Sequence, residues 1–213
     1  MKKIMVTFII IALLVAGGIW AWNSAKQNNT SNYQTQRNSI NTQIKTNSSP
    51  KVENNKIEPV IKEAEVSVFS TKIYNKDEER QNNIGITCRA ISLKEIQPGA
   101  VFSFCDTVGK ATLDKGYKEA DIYVDGKKEQ GIGGGMCQVS TTLYNAVLQV
   151  PELQVVERHE HSGKVPYVQH GKDAAIAYGS YDFKFKNNSS NVIKIVMENT
   201  TDNITARIIK IEK

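Results

Sequence analysis

Hydrophobic and polar positions divide the 213-residue chain into three unlike stretches. From residue 4 to residue 22 no side chain is charged, an uninterrupted apolar run of about the length that crosses a bilayer as a helix. Lys2 and Lys3 precede the run, and Trp20 and Trp22 stand at its far end, where interfacial aromatics belong. The pattern predicts a single membrane-spanning helix, with the N-terminus cytoplasmic and everything after it outside; a cleaved signal peptide is the alternative. From 23 to 56, 22 of 34 residues are Asn, Gln, Ser or Thr. Such a segment buries too little apolar surface to offset the entropy of ordering it, so 23–65 reads as a flexible polar linker. Periodic patterning begins at about 66 and continues to 213, a length sufficient for one domain with a real core.

Within 66–213 both periods occur. Alternation predicts strands over 66–74, 100–104, 153–161, 174–186, 192–198 and 204–211. Asp125-Gly126 inside 122–128 is a two-residue hairpin signal. A helix is expected over 77–92, with Asp77 as its cap and Glu78 and Glu79 in its first turn. A second is expected over 138–150, where Val139, Leu143, Ala146, Val147 and Val150 make an apolar stripe that Pro151 ends. The fold class is α+β, a mostly antiparallel sheet packed on a central helix, preceded by a transmembrane helix and a disordered tether.

Charge changes the picture in one respect. The chain carries a net charge of +5, but its first 65 residues hold eight Lys and Arg against four Asp and Glu, so the domain is nearly neutral. With no basic stripe, nucleic acid is not an expected partner. The cysteine count is three. Cys88 lies on the helical stripe Ile84, Cys88, Ile91 and reads as core. Cys105 follows Phe102-Ser103-Phe104 in an expected strand. Outside the membrane these two have the option of a disulfide or of two buried thiols.

Cys137 is different. Gly133-Gly134-Gly135-Met136 leads into it, and the second helix follows. Glycines leave open ground around the thiol, and the positive end of the helix dipole favours a thiolate there. Ser140, Thr141 and Tyr144 lie three, four and seven residues on, so Cys137 faces a polar strip and not the core stripe.

The run Gly133-Gly134-Gly135-Met136-Cys137-Gln138-Val139-Ser140-Thr141-Thr142-Leu143-Tyr144-Asn145 resembles the signature of the VanW family. Further motifs match in order: Pro98-Gly99 with Phe102-Ser103-Phe104, Val108-Gly109, Gly116-Tyr117, Glu157-Arg158 with His161-Ser162, Gly171-Lys172-Asp173-Ala174, and Tyr178-Gly179 with Asp182-Phe183-Lys184-Phe185. The likeness extends over about 71–198. It implies an exported or membrane-tethered protein of Gram-positive bacteria, of a kind found in some vancomycin-resistance gene clusters. Cys105 departs from the family pattern, which more often has Asn there.

Three chemistries suit these residues. The first is a nucleophilic site with Cys137 as nucleophile, His161 as base and acid, and Asp182 orienting the imidazole. That order is similar to the one in papain-like and transglutaminase-like enzymes. The amide of Cys137 or Gln138 is the expected oxyanion donor. Gly133, Gly134, Gly135, Gln138, Ser140, Thr141, Tyr144 and Arg158 are the accompanying substrate-binding candidates. Peptidoglycan stem peptides are the abundant acyl substrates outside such a membrane, and cell-wall polymer or peptide is the expected partner. No cofactor is expected; the alternative is zinc on Cys137, His159 and His161. The third chemistry is non-catalytic binding of cell-wall polymer or glycopeptide, in a groove using Tyr117, Tyr144, Tyr167 and Tyr178. Asp173, in Gly-Lys-Asp-Ala, reads as a turn residue, and His170 as a loop residue.

Overall fold

The computed structural model of the chain describes residues 62–124 and 127–212. The expected anchor over 4–22, nearly all of the linker and the Asp125-Gly126 turn lie outside the described residues. Among those that are described, no helix is long and apolar enough to cross a membrane.

The larger sheet has four antiparallel strands, in the order β1 (Lys62–Lys72), β9 (Asn203–Glu212), β8 (Val192–Asn199) and β2 (Glu95–Ile96). The last residues assigned to the linker therefore belong to β1. Period-two alternation decides which face of the sheet is buried: Ile193, Ile195 and Met197 on β8 point inward, as do Ile204, Ala206 and Ile208 on β9. Burying each of the isoleucine and methionine side chains among these stabilises the fold by about 1.5–3 kcal/mol. A smaller sheet runs β3 (Val101–Ser103), β7 (Lys184–Asn187), β6 (Leu153–Glu157), and β4 (Glu119–Val124) pairs only with β5 (Lys127–Ile132). The expected single sheet is thus two sheets and a hairpin, all antiparallel.

Helix α1 spans Glu78–Ile91. Asp77 stands at its N-cap but makes no capping bond with its side chain; instead its amide donates to Asn75 Oδ1. Helix α2, Phe104–Val108, replaces the end of the strand predicted over 100–104. Ser103 caps it by accepting from the Asp106 amide at 3.0 Å, which places Cys105 in a helical turn and not in a strand. Helix α3 spans Met136–Val147 and packs on β1 and β9. It is buried on all sides except at Cys137, because α1 and the segment after β6 cover part of the surface that the large sheet does not. One core joins these layers, with Phe104, Phe183, Phe185, Ile84 and Leu143 fully enclosed.

Two predicted strands are shorter than their pattern. Strand β6 ends at Glu157, before the histidines, and 174–183 is irregular, holding only the bridges His159–Ala175 and Ala177–Tyr181. The alternation there belongs to chain that crosses the top of α3 without a continuous ladder partner.

Candidate functional site

Cys137 is the second residue of α3. The turn before it is built by close approach. A Cβ at Gly134 would lie 2.6 Å from the Asp121 carbonyl oxygen, and Gly135 has φ +112° and would meet Ile84 Cγ1 at 2.8 Å. Only glycine lets α3 begin against β4 and α1 in this way. Gly133 and Gly135 line a cavity of about 380 Å³ at this helix start, and Gly134 lies behind them against β4.

The amides of the first turn are unequally used. Met136 donates to the Gly133 carbonyl, and Gln138 and Val139 donate to that of Gly135. Among the described residues the Cys137 amide has no acceptor, so it is free to receive an oxyanion; the Gln138 amide, the other expected donor, is spent. The Cys137 thiol donates to the Ile176 carbonyl at 3.6 Å and lies on the cavity wall.

His161 lies on the same wall. Its Nδ1 is 2.6 Å from Asp173 Oδ2, and its amide donates to the same oxygen at 2.7 Å, which leaves Nε2 for the thiol. Burial disfavours the imidazolium, yet the Cys137 thiolate and the Asp173 carboxylate outweigh it and hold His161 above its ordinary value. Burial would likewise raise Asp173, but the His161 amide and ring keep it below the usual carboxylate range. Arg158 completes the chain, with Nε on the Asp173 carbonyl at 2.6 Å and Nη2 on Oδ1 at 3.2 Å.

The orienting carboxylate is therefore Asp173 and not Asp182. Asp182 accepts from Ser103 Oγ at 2.6 Å, from the Cys105 amide at 2.8 Å and from the Phe183 amide, so it organises the start of α2. It was expected on a strand next to the histidine; the irregular course of 174–183 carries it to another corner. The turn containing Asp173 folds back onto α3, where the Thr141 hydroxyl accepts from the Ala174 amide at 3.0 Å. Asn145 Nδ2 donates to the Lys172 carbonyl at 2.7 Å.

These contacts explain the polar strip on α3, and they move several residues out of the substrate-binding set. Thr141 is fully buried and positions the segment that bears the carboxylate. Tyr144 packs edge-on against Phe183 and lies 5.2 Å under the Arg158 guanidinium. Ser140 is fully buried, and its hydroxyl has no partner among the described residues. Of the candidates, Gly133, Gly135 and Gln138 line the cavity; Gly134, Ser140, Thr141, Tyr144 and Arg158 do not.

His159 is held by Glu157 Oε1 at 3.1 Å and stacks on Tyr181 with 4.5 Å between ring centroids. Cys137, His159 and His161 are not brought together as a ligand set, and among the described residues no three His, Cys, Asp or Glu side chains form a metal-binding group. Of the expected groove tyrosines, Tyr167 and Tyr178 line the cavity, while Tyr117 is core. Burial pushes the Tyr167 phenol up, and the neighbouring Cys137 adds to the effect.

Sequence reasoning missed Arg80, which lines this cavity, and took Asp173, which holds the histidine, for a turn residue only. Cys88, Cys105 and Cys137 are all free thiols.

Comparison with known proteins agrees with the motif reading. The family described as VanW like protein matches residues 79–209, which contain every residue of this site. The uncharacterized protein YoaR of Bacillus subtilis is 42% identical over 127 residues, 60% of this chain and 42% of that protein. The vancomycin B-type resistance protein VanW of Enterococcus faecalis is 32% identical over 123 residues, 55% of this chain and 44% of that protein. The chain thus spans less than half the length of these relatives. No solved structure matches.

Proposed function

The chain belongs to the VanW family, and from that premise we propose that its domain is a cysteine-nucleophile acyltransferase or amidase acting on peptidoglycan peptides. The observation that carries this reading is the Asp173–His161 pair, which shares a cavity wall with Cys137 beside an unused amide. Each part has a role in acyl transfer. His161 takes the thiol proton as Cys137 attacks an acyl carbon, and Asp173 stabilises the imidazolium that forms. The Cys137 amide receives the developing oxyanion. His161 returns the proton to the leaving amine as the carbon–nitrogen bond breaks, which leaves a thioester on Cys137. Water or a second amine then attacks the thioester, giving hydrolysis or transfer and regenerating the thiol.

We place this activity at the Gram-positive cell envelope, with residues 4–22 as a single-pass anchor in the plasma membrane and the domain outside. The printed name of the Enterococcus faecalis relative ties that protein to vancomycin resistance; a role in the same process is the extension we propose for this chain. The test is intact-mass analysis of the full-length chain after mixing with peptidoglycan stem peptides. An adduct that maps to Cys137 and is absent from Cys137→Ala and His161→Ala supports acyl transfer. Binding of the same peptides without adduct or product would instead favour a non-catalytic cell-wall module.

A further inference from the structure

Arg80 is the one charged side chain in the cavity that is buried, at 8% exposure, yet its charge is not answered. It sits in the first turn of α1 with its stem against Gly135. Its Nη2 donates to Gln138 Oε1 at 2.8 Å, and Nη1 makes only a long 3.5 Å contact with the Asp121 carbonyl. Its Nε has no partner among the described residues. The nearby Asp121 carboxylate does not neutralise it, since it is taken by Lys128 at 2.6 Å, by Asn75 at 2.6 Å and by Gln130 at 2.6 Å.

Gln138 fixes the direction of the guanidinium. Its Nε2 is committed to Thr71 Oγ1 at 3.1 Å and to the Lys72 carbonyl at 3.0 Å, so only its oxygen can face Arg80. Of the five guanidinium donors, this leaves three with nothing to bond, the Nε–H and one on each Nη. An edge of a guanidinium with unspent donors matches a carboxylate with two parallel hydrogen bonds. A buried, unpaired cation is costly, and one held by a fixed amide next to the nucleophile's cavity is organised for an anion supplied from outside.

We propose that Arg80, held by Gln138, is a specificity residue that binds a carboxylate of the substrate while the neighbouring acyl carbon lies at Cys137. The substrate class is a peptide bearing a free carboxylate close to the bond attacked. This rests on the acyl-transfer reading for its chemistry, but the subsite itself is testable without turnover.

The test compares alkylating agents that differ only in a carboxylate. Iodoacetate and the longer 3-iodopropionate are each run against their amides on the full-length chain at pH 7, with the modified cysteine identified by peptide mass. The acid-to-amide rate ratio at Cys137 is referred to that of N-acetylcysteine in the same buffer. The expected ratio is at least tenfold above this reference for one of the two acids, with saturation as the acid concentration rises. Arg80→Gln brings the ratio to the reference value, Arg80→Lys keeps part of it, and Lys110→Gln, which alters another cation on the cavity wall, leaves it unchanged. Circular dichroism establishes that the variants fold; if Arg80→Gln does not, the wild-type ratio and Arg80→Lys still decide the matter. A wild-type ratio equal to the reference for both acids, or a raised ratio that survives in Arg80→Gln or disappears in Lys110→Gln, overturns the proposal. Failure of the acyl-transfer reading looks different: the ratio stays high, but no peptide adduct forms.

Discussion

Cys137 and Cys105 make a natural pair. Each stands near the start of a helix, each lines the same cavity, and each has an aspartate close by. Their surroundings differ in burial and in one group. Between Cys137 and Asp173 stands an imidazole, which can accept the thiol proton and share the resulting charge with the carboxylate. Cys105 meets Asp182 with nothing between, and its thiol is turned to the Tyr181 carbonyl. Burial first, and then the Asp182 charge, push Cys105 up to about 12. The same two residue types thus meet an imidazole in one corner and a thiol that burial holds protonated in the other. A cysteine beside an aspartate is no signal; an interposed base is.

The largest break in that comparison comes from removing the base. His161→Ala is expected to lower turnover of an acyl substrate by about 10²–10⁴, the usual contribution of a positioned acid–base group. It also slows iodoacetamide labelling of Cys137 at neutral pH, moving Cys137 toward the behaviour of Cys105. Quantitative labelling with peptide mass analysis reads both cysteines in one experiment. If Cys137 labels at an unchanged rate in the variant, the imidazole is not what distinguishes the two corners.

Exchanging the aspartates sharpens it next. Asp173→Asn keeps the shape but removes the charge that stabilises the imidazolium, so turnover falls, by less than in His161→Ala. Asp182→Asn is expected to leave Cys137 reactivity unchanged and to act on stability. It weakens acceptance from the Ser103 hydroxyl and from the Cys105 and Phe183 amides. That costs about 1–3 kcal/mol, or a few degrees in Tm for a domain of this size. Opposite results for the two variants would return the orienting role to Asp182.

Much of this was legible in the chain, and the assignment of the carboxylate was not. The apolar stripe of Val139, Leu143, Ala146 and Val147 places α3, because a 3.6-residue period leaves one way to bury it. The strands after residue 190 follow from strict alternation. The glycine run marks the helix start, since its contacts exclude a Cβ. Asp173 was hidden because its role depends on a turn whose return to α3 is fixed by Thr141 and Asn145, a tertiary contact with no local pattern. Asp182 misled because alternation over 174–186 imitates a strand where the chain has no continuous partner. Arg80 gave no signal, since an arginine in the first turn of a helix normally reads as solvated.

A pH series separates the pair from general stability. His161 lies above its ordinary value of 6.5, so its contribution to stability is complete below 6.5 and is lost as pH rises through the raised value. Asp173 lies below its ordinary 3.8, so its contribution is present above 3.8 and is lost as pH falls through the lowered value. The Tm difference between wild type and His161→Ala is therefore expected to be greatest between these ordinary values and to shrink above 6.5. A difference that grows toward alkaline pH would mean that the neutral imidazole is the form the fold prefers, which contradicts the proposed thiol–imidazole pairing.

The smallest expected effect tests the other corner. Asp182 raises Cys105, but burial is the larger cause, and the Asp182→Asn change leaves burial in place. In wild type and in Asp182→Asn alike, Cys105 should label far more slowly than Cys137 at pH 8, with only a slight gain in the variant. Were Cys105 in Asp182→Asn to label as fast as Cys137, the aspartate charge alone would have kept it inert. A bare cysteine at a helix start would then be reactive in this fold without a base, and His161 would lose its claim to set Cys137 apart.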